Sequence, residues 1–360
     1  MKKLLILVLG ILLFFSGCEN KNSIKIKKEI NVGMLLPLTG NGALYGKYVR
    51  EGALLAIKEL NITKYNLIIE DTKTTVKDGL QAINKLILKD NVPIVLGPMS
   101  SSVANTVGKV CQSKKVLMIT TASSPSISNL GTYVYRIYPS DSYDGHFLAK
   151  EIIKKKLLNS VVIYLNNDFG IGLSKVFEKK YNQKNGKIVN SFSFEANQQD
   201  FSILVNKLKK ENFDNLVIIA TQKEYISILN KMKSINIKNI SIFAPVNIED
   251  KVVANAIPSD LLELIEYSKP IFDLDNNMTA IQNNFKKIWF QTYKKEPNMF
   301  NAYGYDLIKL AHQIIINTKN DNYKEVLDSF TQFNGATGMY KFDANGDVIR
   351  KFTLLKLKDL

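Results

Sequence analysis

The 360-residue sequence predicts an α/β fold: two like domains, each a parallel sheet covered by helices on both faces. Three observations predict it. Short, near-continuous apolar runs alternate with segments whose apolar residues recur every three to four positions, the order of a parallel βαβ sheet. The plan runs once from Ile30 and begins again near Ser140, with no shorter repeat inside it. A chain of this length also exceeds what one core usually serves.

Residues 1–17 have the form of a signal peptide. Lys2 and Lys3 supply the positive start, Leu4 to Phe15 the apolar stretch, and Ser16-Gly17 the small residues before Cys18. The apolar stretch is too short for a membrane span. Its ending looks like a bacterial lipobox, which implies a diacylated Cys18, a lysine-rich tether over 18–29, and an extracytoplasmic, membrane-anchored body. An uncleaved N-terminal anchor would give the same topology. Cys111 is then the one remaining cysteine, so no intramolecular disulfide is expected.

The first series reads as strand Ile30–Leu36, helix Tyr48–Leu60, strand Tyr65–Ile69 and helix Val76–Leu88. The stretch Val92 to Ser128 follows, and the rest of the chain is organised around it. Its apolar runs Ile94–Leu96 and Val116–Ile119 each lead at once into hydroxyl residues: Ser100, Ser101 and Ser102 after the first, Thr120, Thr121, Ser123 and Ser124 after the second. A helix over Val103–Lys114 separates them. Either cluster alone reads as helix caps. Paired on consecutive parallel strands, they put hydroxyls and free N–H groups at the edge where open α/β sheets bind ligands.

The second series gives helix Asp141–Lys156, strand Ser160–Leu165, a helix from Phe169, strand Ile188–Phe194, helix Phe201–Leu208, strand Asn215–Ala220, helix Tyr225–Ile235 and strand Ile240–Phe243. Long amphipathic helices are expected over Thr279–Tyr293 and Tyr303–Asn317, with a short one over Tyr323–Phe330. The end, Met339–Phe342 and Ile349–Leu355, reads as a β-hairpin around Asp343–Asp347.

Composition and motifs narrow the function. The chain carries 48 basic against 33 acidic residues, net +15, but only Arg50, Arg136 and Arg350 are arginines, and the lysines are dispersed. Nucleic-acid binding favours clustered arginine, so the charge reads as solvated surface, with attraction to anionic lipid a weaker option. His146 and His312 are the two histidines, each in an expected helix, and HExxH and GxSxG are absent. The Asp343–Asp347 turn has Val348 and Leu354 where an EF-hand needs glycine and glutamate. Gly40–Gly46, with Glu70 or Asp71 on the next strand, could suit a dinucleotide enzyme, but its spacing departs from GxGxxG. That enzyme stays a minor alternative, and no cofactor or metal is expected.

Ile30–Gly33 through Leu36-Pro37-Leu38-Thr39-Gly40 and Tyr45-Gly46, then Gly97 to Ser124, then Gly335-Ala336-Thr337-Gly338 with Phe342-Asp343 and Gly346-Asp347, resemble the type I periplasmic binding proteins. The likeness is nearest to the leucine/isoleucine/valine-binding proteins of ABC importers. It implies two Rossmann-like lobes joined by three crossovers: residues 30–139 with 270–334, and 140–269 with 335–360. It also implies that a ligand carboxylate is held by Ser101, the backbone at Ala122, Ser123 and Ser124, with Tyr45 beside the cleft. In the second lobe, Phe169 stands where an aromatic, usually tyrosine, closes over the ligand, and Gln222 replaces another aromatic. Val246 stands where amino-acid binders place a glutamate against the ammonium group; Glu224, Glu249 or Asp250 could substitute. The resemblance thus implies a monomeric lipoprotein that captures a small polar, carboxylated solute for an ABC permease. The same fold also serves as a regulator of cell-wall synthesis or a ligand sensor, which is the alternative.

Overall fold

A computed structural model describes residues 30–63, 65–233, 240–271 and 278–360. The leader, Cys18, the tether and the end of the helix expected to reach Ile235 lie outside the described residues. No helix among the described residues is long and apolar enough to cross a membrane.

The first series forms β1 (Ile30–Leu36), α1 (Ala43–Leu60), β2 (Tyr65–Asp71), α2 (Val76–Leu88), β3 (Ile94–Leu96), α3 (Ser101–Lys114), β4 (Leu117–Thr120) and β5 (Val134–Arg136). The five strands make one parallel sheet in the order β2-β1-β3-β4-β5. Ile94, Val95 and Leu96 are all fully buried because α2 and α3 cover one face and α1 with a later helix the other. β5, only three residues long, carried no periodicity to reveal it.

The second series forms α4 (Asp141–Lys154), β6 (Asn159–Leu165), α5 (Asp168–Gln183), β7 (Lys187–Phe194), α6 (Ser202–Leu208), β8 (Asn215–Ile219), α7 (Gln222–Lys233), β9 (Ser241–Pro245), the short helices α8 (Lys251–Ala256) and α9 (Ser259–Leu262), and β10 (Ile265–Pro270). The chain then returns to the first sheet as α10 (Ala280–Tyr293), α11 (Met299–Asn317) and α12 (Tyr323–Asp328). α11 crosses α1 so closely that a Cβ on Gly52 would lie 1.9 Å from the Asn301 carbonyl, and one on Gly304 1.9 Å from that of Val49.

The expected C-terminal hairpin does not form as read. β11 (Phe333–Gly335) pairs with β12 (Gly338–Tyr340), while β13 (Phe352–Lys356) leaves for the second sheet and runs antiparallel to β10. That sheet has the order β13-β10-β9-β8-β6-β7. The Asp343–Asp347 turn keeps a single bridge, Phe342 with Val348, because the Asp343 carboxylate accepts the N–H groups of Asn345 (2.8 Å) and Asp347 (3.0 Å) and fixes a loop, not a ladder. The loop packs on β5, where the Arg136 N–H donates to the Gly346 carbonyl at 2.8 Å. The pairing therefore changes sheets at 349–351, later than position 335.

Candidate functional site

The carboxyl ends of the two parallel sheets face each other across a cavity of about 640 Å³. Pro37 after β1, Met99 to Ser102 after β3, and Thr121 and Ser123 after β4 form one wall. Asn167 and Phe169 after β6, Asn197 after β7, Thr221 and Lys223 after β8, and Asn247 after β9 form the other. Tyr138, Asp141 and Asp144 come from the chain passing between the sheets, and Phe300 and Tyr303 from α11. Tyr45 packs on Phe300 with ring centroids 4.9 Å apart, and Tyr138 on Tyr303 at 5.3 Å.

The two halves touch around this space. The Tyr45 hydroxyl donates to the Asn247 carbonyl at 3.1 Å, and Asn41 Nδ2 donates to Glu224 at 3.1 Å. On another side, Asn105 Nδ2 donates to Asp168 at 2.8 Å, and the Asp168 N–H to Ser102 Oγ at 3.2 Å. Burial beside the carboxylates of Asp250 and Glu224 pushes the Tyr45 phenol well above its usual range, so it is a donor at any ordinary pH.

The serines at the start of α3 are not used as caps. Ser100 sits at the N-cap without a side-chain capping bond, and Ser101, buried, accepts from the Ser124 N–H at 3.2 Å through Oγ. The hydroxyl clusters of β3 and β4 are thereby tied together. Ser123 lines the cavity, and its carbonyl accepts from the Asp141 N–H at 2.8 Å. Two of the expected contacts face elsewhere: Ala122 donates its N–H to Thr120 Oγ1 (3.1 Å), and Ser124 Oγ meets Ser126 Oγ (2.9 Å). Neither is on the cavity wall, whereas Thr121 is.

In the second half, Phe169 lines the cavity from the first turn of α5, where Asn167 caps the helix by accepting from the Gly170 N–H at 2.9 Å. Gln222 is off the wall, between Thr221 and Lys223, which are on it. Val246 is buried in the core, between Pro245 and Asn247, which are also on the wall. The three acids that could replace a glutamate there are engaged elsewhere. Glu224 accepts from Thr221, Asn41 and the Asn197 N–H; Glu249 pairs with Lys269 at 2.6 Å; Asp250 caps α8 by accepting from the Val252 N–H at 2.7 Å.

Sequence reasoning missed Asp141, Asp144 and Arg136. Both acids lie in the first turn of α4, a place where acids routinely complement the helix dipole, so no pattern set them apart. Burial pushes the Asp141 carboxyl up to about 7 against the opposing effects of Ser123 and Arg136, and burial pushes Asp144 well above the carboxylate range, with Asp141 adding to it. Arg136 is fully buried and holds the second hydroxyl cluster in place by donating to the carbonyls of Ser123 (2.9 Å) and Ser124 (2.8 Å). Its one signal was its rarity in a lysine-dominated chain.

The acids that a nucleotide ribose would need are occupied. Glu70 pairs with Lys85, and Asp71 accepts from the N–H groups of Leu38 (2.8 Å) and Lys73 (2.9 Å) and from the Thr39 hydroxyl (2.6 Å). Among the described residues no cluster of His, Cys, Asp or Glu could hold a metal ion. Cys111 is buried in the first core, and burial raises its thiol to about 12.

A family described as periplasmic binding protein matches residues 29–359. A Leu/Ile/Val-binding protein, BraC3, of Rhizobium johnstonii is 31% identical over 195 residues, 52% of this chain and 53% of that protein. The Leu/Ile/Val-binding protein of Escherichia coli K12 is 26% identical over 202 residues, 54% of this chain and 55% of that one. The chain thus spans about half the length of the curated relatives it matches. Among solved structures, the branched-chain amino acid transporter binding protein LivJ of Streptococcus pneumoniae, in complex with isoleucine, superposes with a TM-score of 0.81 at 22% identity, covering 91% of this chain and 96% of that one. A solute-binding protein of an R. palustris ABC transporter, in complex with benzoate, does so with a TM-score of 0.82 at 19% identity, covering 91% and 93%. The proteins named here are binding proteins, not enzymes, and the two structures share the fold of this chain.

Proposed function

Because this chain belongs to the periplasmic binding protein family, we propose that it is a lipid-anchored extracytoplasmic receptor that clamps a small polar, carboxylated solute and delivers it to an ABC permease. One lobe is residues 30–139 with the segment from 270 to about 348; the other is 140–269 with the chain from about 349 onward. The observation that carries this reading is the 640 Å³ cavity between the carboxyl ends of two parallel sheets, with the Ser100, Ser101 and Ser102 hydroxyls free of capping at the start of α3. Hydroxyls and N–H dipoles at strand ends hold an anion without a formal positive charge.

The mechanism is closure. Bonds such as Asn105 to Asp168 and Tyr45 to Asn247 join the lobes only when they are together, and a ligand touching both walls adds to that side of the equilibrium. The test is a thermal-shift screen against amino acids, amides and organic acids. A true ligand at a hundred times its Kd stabilises the fold by about 2.7 kcal/mol. No shift with any of them overturns the reading.

A further inference from the structure

The cavity wall carries two buried acids, each with one carboxylate oxygen that no group of the protein bonds. Asp141 and Asp144 are 3% and 4% exposed, both border the cavity, and Asp141 Oδ2 and Asp144 Oδ1 make no hydrogen bond within the protein. The α4 N-terminus favours negative charge, but Ser140 already caps it by accepting from the Ser142 N–H at 3.2 Å, and dipole attraction is small beside the desolvation of two carboxyls three residues apart.

Protein cations do not fill the gap. All five N–H donors of Arg136 are engaged, by Asp347 twice, the Ser123 and Ser124 carbonyls, and Ser128 Oγ. Lys73 borders the cavity but binds Asp78 at 3.1 Å, and Lys223 is exposed. The opposite wall offers hydroxyls, including a buried Thr121 Oγ1 without a partner. Two buried acids, each with an oxygen free to accept, lie across from hydroxyl donors, and a bound cation in contact with them would favour their ionised form.

Building on the ligand-cleft reading above, we infer that the solute is net cationic, with more ammonium or guanidinium groups than carboxylates, and that Asp141 and Asp144 together receive its cationic end. The chemical class is a basic amino acid, whose one carboxylate falls to the serine wall, not the neutral isoleucine or the anionic benzoate bound by the structural neighbours. The protein's net charge of +15 repels such a solute at long range, but that field is screened within about 8 Å at physiological salt, so it acts on encounter and the buried acids act at contact.

The test titrates the purified protein with L-arginine, L-lysine, putrescine, L-leucine and benzoate by calorimetry and thermal shift, beside Asp144→Asn and Asp141→Asn. At least one cation should bind tenfold or more tightly than leucine. Each amide variant should lose tenfold or more of that affinity while its unliganded melting temperature holds or rises, which separates lost recognition from lost folding. Should one variant fail to fold, the other carries the comparison. Tighter binding of leucine or benzoate than of every cation overturns the inference and leaves the cleft reading standing, as does cation binding indifferent to both amides. Binding of none of the five, with no other solute shifting the melting temperature, overturns both.

Discussion

Arg136 and Asp347 form a fully internal ion pair, with Nη2 2.7 Å from Oδ2 and Nε 2.9 Å from Oδ1, across 211 residues of sequence. The pair pins the late 342–348 loop to the strand end that carries Ser123 and Ser124. Replacing Asp347 with Ala leaves a buried guanidinium unanswered and should cost about 3–5 kcal/mol, read by urea unfolding. Arg136→Lys should not restore the loss, because an ammonium cannot reproduce the five-donor fork.

Ser101→Ala removes the acceptor of the Ser124 N–H and a hydroxyl at the α3 terminus. Affinity for a carboxylated solute should fall by about 1–3 kcal/mol in calorimetry. Unchanged affinity would take Ser101 out of the site.

Asn105→Ala deletes a contact between the lobes without touching the cavity wall. The closed form should lose about 1 kcal/mol, so the Kd should rise about fivefold while the chemistry of the ligand series keeps its rank order. A change of rank order would place Asn105 at the ligand.

Asp141 gives a pH signature. Its folded carboxyl sits at about 7, above the usual unfolded value near 4, so the folded state holds the proton more tightly. Its contribution to stability is whole below about pH 4 and is lost as pH rises through about 7. The melting temperature of Asp141→Asn, measured relative to the parent, should therefore climb between pH 4 and pH 7. A flat difference would show that the carboxyl is not buried in solution.

Gly52→Ala forces a Cβ onto the Asn301 carbonyl and pushes α1 from α11. A loss of about 1–3 kcal/mol is expected in denaturant unfolding, and Gly304→Ala, on the same crossing, should not add fully to it.

The element plan was largely legible because buried parallel strands such as Ile94–Leu96 and amphipathic helices such as Val76–Leu88 write their burial into local periodicity. β13 was misread because Phe352–Lys356 has strand character but its partner, β10, lies some 85 residues earlier, and pairing choice is not a local property. Strand-end chemistry pointed to Ser101 and Ser123, and both border the cavity. The acidic wall was not legible, since an aspartate capping a helix in water and one facing a cavity, as Asp141 and Asp144 do, are the same letter.

The return of α11 to α1, and of β13 to β10, bears on the order in which the molecule can be made. The first sheet lacks its α11 cover until residues near 300 have been synthesised, and the second keeps β10 as an open edge until Phe352 arrives. Each half thus waits for a segment translated long after its own strands. Until both segments have been made, each half lacks part of its cover, and deletions from Phe352 onward should leave β10 an open edge prone to edge-to-edge aggregation.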